Sequence, residues 1–287
     1  VTGVQTCALP ISQQLPATVL SKIAVDMSYK RSLYERLQMC GSPRVMLTVQ
    51  YRMHPAIREF PSSYFYNGKL SDAASVVRRP RKAFQEHIGL GPYRAFDLEG
   101  SREVFNPKNR SMANPDEADF VETLVLAMAK SSGRGGELPT LGIVTPYRAQ
   151  RDLIRAKFWE RTQLHQLQCQ GCLTSDVMVD TVDSFQGQEK DIIIFSSVRS
   201  RPVAGGGGHG FVADFRRVNV ALTRAREALW LVTSRAALAP ASPAWACLFE
   251  DVERRGLLIR VPRGGRAPPA DRKSGEQGKS VHVSVGP

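Results

Sequence analysis

Two features that would assign this sequence to a special class of protein are missing. No run of about 18 apolar residues occurs, so we expect no membrane-spanning helix. The five cysteines are an odd number and lack the spacing of a disulfide framework. Cys169 and Cys172 have zinc-knuckle spacing, but no second pair accompanies them, so we interpret them as loop thiols in a reducing compartment. The sequence therefore predicts neither a membrane protein nor a disulfide-stabilised one, and no metal site.

Acidic residues are the next shortage. The 287 residues include 39 Lys plus Arg and only 27 Asp plus Glu, for a formal net charge of +12. This length is enough for one large domain or two small ones. A basic excess is typical of proteins that bind polyanions, and nucleic acid is the usual one. On charge alone, a basic protein with no such partner is the alternative.

Both ends of the chain differ in composition from the middle. The opening "VTGVQTCALPIS" matches the translation of a common short-read sequencing adapter, so we expect residues 1–12 not to be native and the natural sequence to continue upstream of Gln13. Residues 263–287 lose core-forming side chains and are rich in Gly, Pro and charge, which predicts a disordered basic tail. The tail carries five Lys or Arg and two Asp or Glu, which leaves a net charge of +9 for the rest of the chain.

Between these ends, apolar β-branched segments alternate with amphipathic ones. The clearest helix follows Asn114, a suitable N-cap, and has acids at its amino end and a core stripe of Ala118, Val121, Leu124, Val125 and Met128. Other helices are predicted in "YKRSLYERLQMCG", "RAQRDLIRAKFW" and "RRVNVALTRA", and near residues 245–254. Buried strands are predicted in "RVMLTVQY", "TLGIVT", "VMVDTV", "DIIIFSSV", "LWLVT" and "LLIRV". The alternation predicts an α/β fold, in which a parallel sheet is covered by helices on both faces.

Polar clusters border the predicted strands. "QYRMHP" (residues 50–55), "TPYRAQ" (145–150) and "TVDSFQGQEKD" (181–191) each follow a strand, and an arginine-rich helix leads into a later one. Any one cluster alone is equally well explained as a solvated loop. Because ligands bind beyond the carboxyl ends of strands in an open parallel sheet, we expect the four clusters to share one edge and to bind a polyanion there.

Five long motifs occur in order: "QLPATVLS", "QYRMHPAIREFPSSYFYNGKLSD", "GIVTPYRAQRDLI", "VDTVDSFQGQEKDIIIFSSVRS" and "GFVADFRRVNVALTRA". They resemble the later motifs of the superfamily 1 helicases of the up-frameshift-like group, and the first two are most similar to its senataxin branch. The resemblance covers Gln13 to Pro262. It implies a RecA-like P-loop NTPase fold, with residues 13–46 as a remnant of the first RecA-like domain and residues 47–262 as the second helicase core domain.

The resemblance implies three residues at the phosphate end of ATP. Gln14 matches the glutamine that senses the γ-phosphate. Arg52 matches a γ-phosphate ligand, and a planar guanidinium suits phosphate oxygens better than an ammonium group does. Arg224 matches the arginine finger, which stabilises charge as the γ-phosphoryl group leaves and which would face ATP held by the other domain.

Three further positions match contacts to the nucleoside. Tyr51 corresponds to the tyrosine that stacks on adenine, a role that an aromatic face performs without reading the base. Glu189 corresponds to the acid that binds the ribose hydroxyl. Gly187 permits close approach of the backbone.

The resemblance also implies residues that line the channel for the nucleic-acid strand: Thr145, Tyr147, Thr181 and Ser184. Short hydroxyls and backbone amides hold phosphates there without selecting a base sequence. Three other arginines are left open between phosphate contact and a solvated or salt-bridged role: Arg216, Arg217 and Arg226. We interpret His54 as structural rather than as a general base.

Two helicase motifs are missing from the printed sequence. It contains no GxxxxGK[ST] phosphate loop and no acid pair of the Walker B type, so the ligands of Mg²⁺ and of the β-phosphate are expected upstream. We therefore expect the carboxyl-terminal half of an ATP-dependent helicase, inactive alone and nuclear in location, which acts on single-stranded RNA or DNA or on RNA–DNA hybrids. A DNA helicase or helicase–nuclease of the same group, or a non-catalytic nucleic-acid-binding module, are the alternatives.

Overall fold

The computed structural model describes residues 19, 21–29, 31–43, 45–80, 90–131, 138–159, 176–202 and 214–263. Several predictions made from the sequence fall outside these residues. They concern Gln14 and most of its motif, the cysteine pair at 169 and 172, the adapter-like opening and residues 264–287 of the tail. No helix within the described ranges is long and apolar enough to cross a membrane.

A six-stranded parallel sheet is the frame of the fold, in the order β10-β3-β9-β8-β6-β7. The strands along the chain are β1 (Val49–Gln50), β2 (Ser71–Asp72), β3 (Tyr93–Leu98), β4 (Val104–Asn106), β5 (Ser111–Ala113), β6 (Leu141–Thr145), β7 (Val177–Thr181), β8 (Lys190–Ser196), β9 (Ala225–Thr233) and β10 (Leu258–Val261). Within the described ranges, the strands outside the main sheet form a parallel β1-β2 pair and an antiparallel β4-β5 hairpin.

Helices cover both faces of this sheet. They are α1 (Lys22–Asp26), α2 (Leu33–Met39), α3 (Pro55–Tyr66), α4 (Ala74–Val77), α5 (Pro115–Ser131), α6 (Arg148–Trp159), α7 (Phe215–Leu222), α8 (Arg235–Leu238) and α9 (Pro243–Arg254). α5 and α6 pack on one face, whereas α3, α7 and α9 contribute to the core on the other. The α/β architecture predicted from the sequence, a parallel sheet with helices on both faces, is confirmed.

Alternation along the strands produces two separate cores. In β8, Ile193 and Phe195 enter one core, while Ile192 and Ile194 enter the other. The helical stripe of α5 enters the second core, and all five of its predicted members are buried there. Asn114 caps this helix, because its Oδ1 accepts from the Glu117 amide at 3.2 Å. These local predictions are confirmed.

The prediction of a buried strand over residues 44–51 is wrong. Only Val49–Gln50 pairs, with Ser71–Asp72, and this pair lies outside the main sheet. Val45 is 90% exposed and Leu47 51% exposed. β-Branched residues favour an extended backbone, but burial needs a neighbouring strand. The position beside β9 is taken by β3, a strand not predicted because "YRAFDL" carries Arg94 and Asp97 among its apolar residues.

Candidate functional site

The predicted site residues lie at two opposite ends of the sheet, so the prediction of a single edge is wrong. Thr145 pairs with Thr181 at the carboxyl ends of β6 and β7. Glu189 immediately precedes β8, and Arg224 immediately precedes β9. The first residues of these two strands, Lys190 and Ala225, pair with each other. A strand of seven residues separates the two ends by about 20 Å.

The site residues are divided between the two ends of the sheet because of the path that the chain takes after β7. Residues 182–189 leave the carboxyl end of that strand and return to the amino end of β8, so the motif 181–191 contributes to both ends. The segment around residues 50–55 also reaches the amino ends, where the His54 amide donates to the Arg226 carbonyl at 2.8 Å. We call the cluster of Tyr51, Arg52, Gly187, Glu189 and Arg224 the amino-end site.

Two arginines meet in the amino-end site. Arg52 donates through Nε to Glu189 Oε2 at 2.5 Å and through Nη1 to the Thr223 carbonyl at 3.1 Å. Arg224 follows Thr223 directly and donates through Nη2 to its hydroxyl at 2.8 Å and through Nε to the Val220 carbonyl at 2.9 Å. The geometry therefore brings together two guanidinium groups that are 172 positions apart in the printed sequence.

Arg224 is a buried cation with little local compensation. Its side chain is 3% exposed, and among the described residues no carboxylate lies within 4.0 Å of it. Burial first, and then the positive charge of Arg52, lower the pKa of Arg224 to about 10. Both causes disfavour the charged guanidinium, and an anion placed beside it would offset them. The amino-end site is therefore suited to a polyanion.

Tyr51 and Glu189 are the accessible members of the amino-end site. The Tyr51 ring is 70% exposed, so its face is open to a planar ligand. Glu189 is 42% exposed at its side chain and is shared between Arg52 and Arg226, whose Nε lies 4.0 Å from Glu189 Oε1. Gly187 has φ +84°, a conformation that favours glycine, and an added Cβ would meet nothing within 4 Å.

An ion pair not recognised in the sequence holds the segment that carries Tyr51 and Arg52. Arg79 Nη1 donates to Glu227 Oε1 and to the Arg52 carbonyl, each at 3.0 Å, and Nη2 donates to the Tyr51 carbonyl at 3.4 Å. Glu227 is buried. Gln50 adds a second anchor, because its Oε1 accepts from the amides of Arg52 and Met53 at 2.9 and 2.7 Å. No local sequence signal marks Arg79, because its partners lie far away along the chain.

The other site occupies the carboxyl ends of β6 and β7, and we call it the carboxyl-end site. The hydroxyls of Thr181 and Ser184 lie 3.1 Å apart, and Ser184 is exposed. Thr145 is buried, and its hydroxyl is 3.5 Å from the Tyr147 amide. Arg199, which was not predicted from the sequence, donates a hydrogen bond to the Tyr147 hydroxyl, while burial raises the pKa of that hydroxyl. The four residues predicted to bind the nucleic-acid strand are thus at the same end of the sheet.

A buried polar network lies beneath the carboxyl-end site and was not predicted either. The Glu117 carboxylate accepts from Ser196 Oγ at 2.6 Å, Ser197 Oγ at 3.1 Å and the Val198 amide at 2.9 Å. Val198 has φ +72°, which is strained for a β-branched residue, and it precedes Arg199 directly. Burial of Glu117 raises its pKa to about 7, although the three hydrogen bonds act in the opposite direction.

The remaining polar residues that the sequence singled out have structural partners. Arg217 donates to Asp183 Oδ1 at 3.0 Å and to Asp214 Oδ2 at 2.9 Å, so it is salt-bridged. Arg216 lies over the Phe215 ring at 5.4 Å. His54 Nδ1 accepts from the Ala56 amide at 3.1 Å and caps α3, which agrees with the structural role predicted for it.

Comparison with known proteins gives the family. A family model described as an AAA domain matches residues 29–236. The probable helicase MAGATAMA 3 of Arabidopsis thaliana is 36% identical over 254 residues, which cover 88% of this chain and 30% of the relative. Helicase SEN1 of Saccharomyces cerevisiae is 36% identical over 267 residues, which cover 91% of this chain and 12% of the relative. The chain belongs to the superfamily 1 helicases of the up-frameshift-like group.

Within the up-frameshift-like group the chain falls in the senataxin-like branch. Another similar protein, the regulator of nonsense transcripts 1 of Dictyostelium discoideum, is 36% identical over 248 residues, which cover 86% of this chain and 18% of that protein. The chain therefore spans less than a third of the length of these relatives. The sheet is that of the second RecA-like domain of such helicases.

The amino-end site of this helicase domain fits a nucleoside triphosphate in the chemistry of its groups. Two clustered guanidiniums suit phosphate oxygens, an open aromatic face suits a base, and a part-exposed carboxylate suits a hydroxyl donor. The fit requires Arg52 and Glu189 to exchange their mutual ion pair for contacts with the ligand. Within the described part of the chain, no group of three or more His, Cys, Asp or Glu could hold a metal ion.

Proposed function

We propose that this helicase domain completes the ATP site of a longer protein that unwinds RNA or RNA–DNA hybrids by moving along a single strand. The observation that carries the proposal is the approach of Arg52 and Arg224 at the amino ends of β8 and β9. Two like charges are held together by the fold, and the buried one, Arg224, has no carboxylate within 4.0 Å among the described residues although Glu189 acts on it from further away. An anionic ligand that binds between the two guanidinium groups would explain this arrangement.

Roles at the phosphate end follow from the charges. Arg52 would bind the γ-phosphate through its planar fork, and Arg224 would stabilise the charge that develops on the γ-phosphoryl group. Gln14 is assigned to the same end from its motif alone. Hydrolysis of ATP supplies the free energy for each step along the strand, and the Mg²⁺ and β-phosphate ligands are assigned to a preceding RecA-like domain.

Roles at the nucleoside end follow from exposure. The open face of Tyr51 would stack on adenine, and Glu189 would accept from a ribose hydroxyl. Gly187 keeps the neighbouring turn free of a side chain, so that the backbone can approach the nucleotide. The nucleotide would thus occupy the amino-end site from Tyr51 to Arg224.

The carboxyl-end site would hold the nucleic-acid strand. Hydroxyls of Thr145, Thr181 and Ser184 and the ring of Tyr147 provide contacts to phosphate and sugar that do not select a base sequence. Residues 181–188 connect this site directly to Glu189. A shift of the bound nucleic-acid strand and a change in the bound nucleotide would therefore act on the same short segment. RNA or an RNA–DNA hybrid is the proposed substrate, and the nucleus is the proposed place of action.

Strand binding by the isolated chain tests the carboxyl-end site. We expect weak binding of a fluorescent single-stranded RNA, with a dissociation constant that rises steeply with salt and varies little with base sequence. A DNA strand of the same sequence, measured in parallel, gives the preference between the two sugars. Deletion of residues 263–287, the predicted tail, is the control, and most of the affinity is expected to remain. Absence of binding at low ionic strength would contradict the proposal.

ATP hydrolysis by the isolated chain is expected to be undetectable. The residues that would position Mg²⁺ and the β-phosphate are not in the printed sequence, and an arginine finger accelerates transfer only when the phosphates are already held. The measurement is phosphate release with and without single-stranded RNA, compared with a preparation from cells that do not express the chain. Turnover stimulated by RNA in the purified chain would show that the assignment of the missing ligands is wrong.

A further inference from the structure

The β4-β5 hairpin exposes an aromatic side chain beside the carboxyl-end site. Its register pairs Val104 with Ala113, Phe105 with Met112 and Asn106 with Ser111. Phe105 is 56% exposed. A phenylalanine that is more than half exposed on a short hairpin adds little to the core, so its exposure needs a separate explanation.

Hydrogen bonds fix the hairpin to the carboxyl-end site on both of its sides. On one side, Ser111 Oγ accepts from the Ala149 amide at 3.2 Å, in the first turn of α6 and two residues after Tyr147. On the other side, the Glu103 amide donates to Ser200 Oγ at 2.9 Å, and Glu103 Oε2 accepts from Arg199 Nε at 2.9 Å. The hairpin is therefore held in place relative to Tyr147, which Arg199 also contacts.

Exposed basic side chains lie on the hairpin and on the segments that are hydrogen-bonded to it. The turn of the hairpin carries Lys108 and Arg110, and exposed arginines flank it before β4, at the start of α6 and after Ser200: Arg102, Arg148 and Arg201. Within the described residues, none of these five cations has a carboxylate partner within 4.0 Å. Two acids that flank the hairpin in the chain have partners, because Glu103 binds Arg199 and Asp116 Oδ2 accepts from the Arg102 amide at 2.9 Å. The hairpin therefore presents an aromatic face within a basic surface.

We propose that the hairpin, residues 104–113, extends the carboxyl-end site by binding the single strand beyond Tyr147. Phe105 stacks on one base, and Lys108 and Arg110 contact the adjacent phosphates. An aromatic face among unpaired cations is the combination that binds single-stranded nucleic acid without sequence preference. The inference rests on the proposed function, because it needs a strand at the carboxyl-end site.

Binding of a fluorescent single-stranded oligoribonucleotide to the whole chain tests the hairpin. Phe105→Ala is expected to weaken binding by about tenfold, within the range measured for loss of one base–aromatic contact. Phe105→Trp keeps an aromatic face and is expected to retain the affinity of the unaltered chain. Lys108→Ala combined with Arg110→Ala is expected to weaken binding and to reduce the slope of log affinity against log salt by about 1.4, since each phosphate contact to a single strand contributes about 0.7. The unfolding temperature of each variant is measured alongside, and little change is expected because these side chains are exposed.

A matched control and a second probe separate the possible results. Lys69→Ala combined with Arg254→Ala removes the same charge from exposed positions on other elements, and it is expected to leave the affinity within about twofold. Inorganic polyphosphate has no bases, so Phe105→Ala is expected to leave its binding unchanged. If the unaltered chain binds the RNA but the hairpin variants match the control, the hairpin inference is overturned and the proposed function stands. If the unaltered chain binds no RNA at all, the proposed function itself fails.

Discussion

Replacement of Arg224 by alanine, in the proposed longer protein with a complete ATP site, is expected to lower the kcat of ATP hydrolysis by roughly 10³-fold. A guanidinium that stabilises the departing γ-phosphoryl group acts mainly in the transition state, so turnover should change more than ATP affinity. Tyr51 and Glu189 would still hold the base and ribose. The measurement is steady-state phosphate release at saturating RNA, with KM for ATP determined in parallel.

The stability of the Arg224→Ala protein is expected to stay close to that of the unaltered one. Burial and the nearby charge of Arg52 already disfavour the Arg224 guanidinium, so its removal relieves a cost and offsets part of the lost packing. Arg226→Ala is the matched control, because its side chain is 44% exposed and lies 3.8 Å or more from its acidic partners. A near-normal kcat for Arg224→Ala together with a strongly reduced kcat for Arg226→Ala would show that the wrong arginine has been matched to the arginine finger of the motif.

The second large effect is a pH-dependent loss of stability caused by Glu117. Burial raises the pKa of this carboxyl from 4.5 to about 7, so the folded chain keeps a proton that the unfolded chain has released. The contribution of Glu117 to stability therefore falls as pH rises from about 4.5 to about 7, and it levels off above that range. At about 1.4 kcal/mol for each pKa unit, the loss is on the order of 3 kcal/mol.

Glu117→Gln isolates this effect from other titrating groups. A neutral amide can accept from Ser196 Oγ and the Val198 amide through its oxygen while it donates to Ser197 Oγ, so the network survives without a charge. Urea unfolding from pH 5 to pH 8 is expected to show that the unaltered chain loses stability relative to Glu117→Gln as pH rises. A constant difference across this range would contradict the assignment. Glu117→Ala, which leaves the Val198 amide without its acceptor, is expected to be less stable than both at every pH.

Local patterns were sufficient for most helices and central strands. α5 was predicted correctly because its cap, first-turn acids and apolar stripe all lie within one short segment. β6 and β8 were predicted correctly because each contains a continuous apolar run, as a strand that is buried on both faces requires. In such segments the same residues specify the local conformation and its burial.

Predictions that depended on partners distant in sequence were wrong or missing. Residues 44–51 have the composition of a buried strand, but β3 takes the place beside β9 through pairing that no local pattern encodes. The Arg79–Glu227 pair and the contact of Glu117 with the strained Val198 turn were missed for the same reason. Each joins residues that are neighbours only after the sheet has formed.

The sequence by itself determined the fold class, the family and the identity of the candidate site residues, because apolar periodicity and motif order are properties of neighbouring residues. Only the tertiary structure decided where these residues meet. The direction and register of the strands place Arg52, Glu189 and Arg224 at one end of the sheet and Thr145, Tyr147, Thr181 and Ser184 at the other. The physical reason is that hydrogen bonding between strands far apart in the chain sets which ends come together, and no short segment of sequence contains that information.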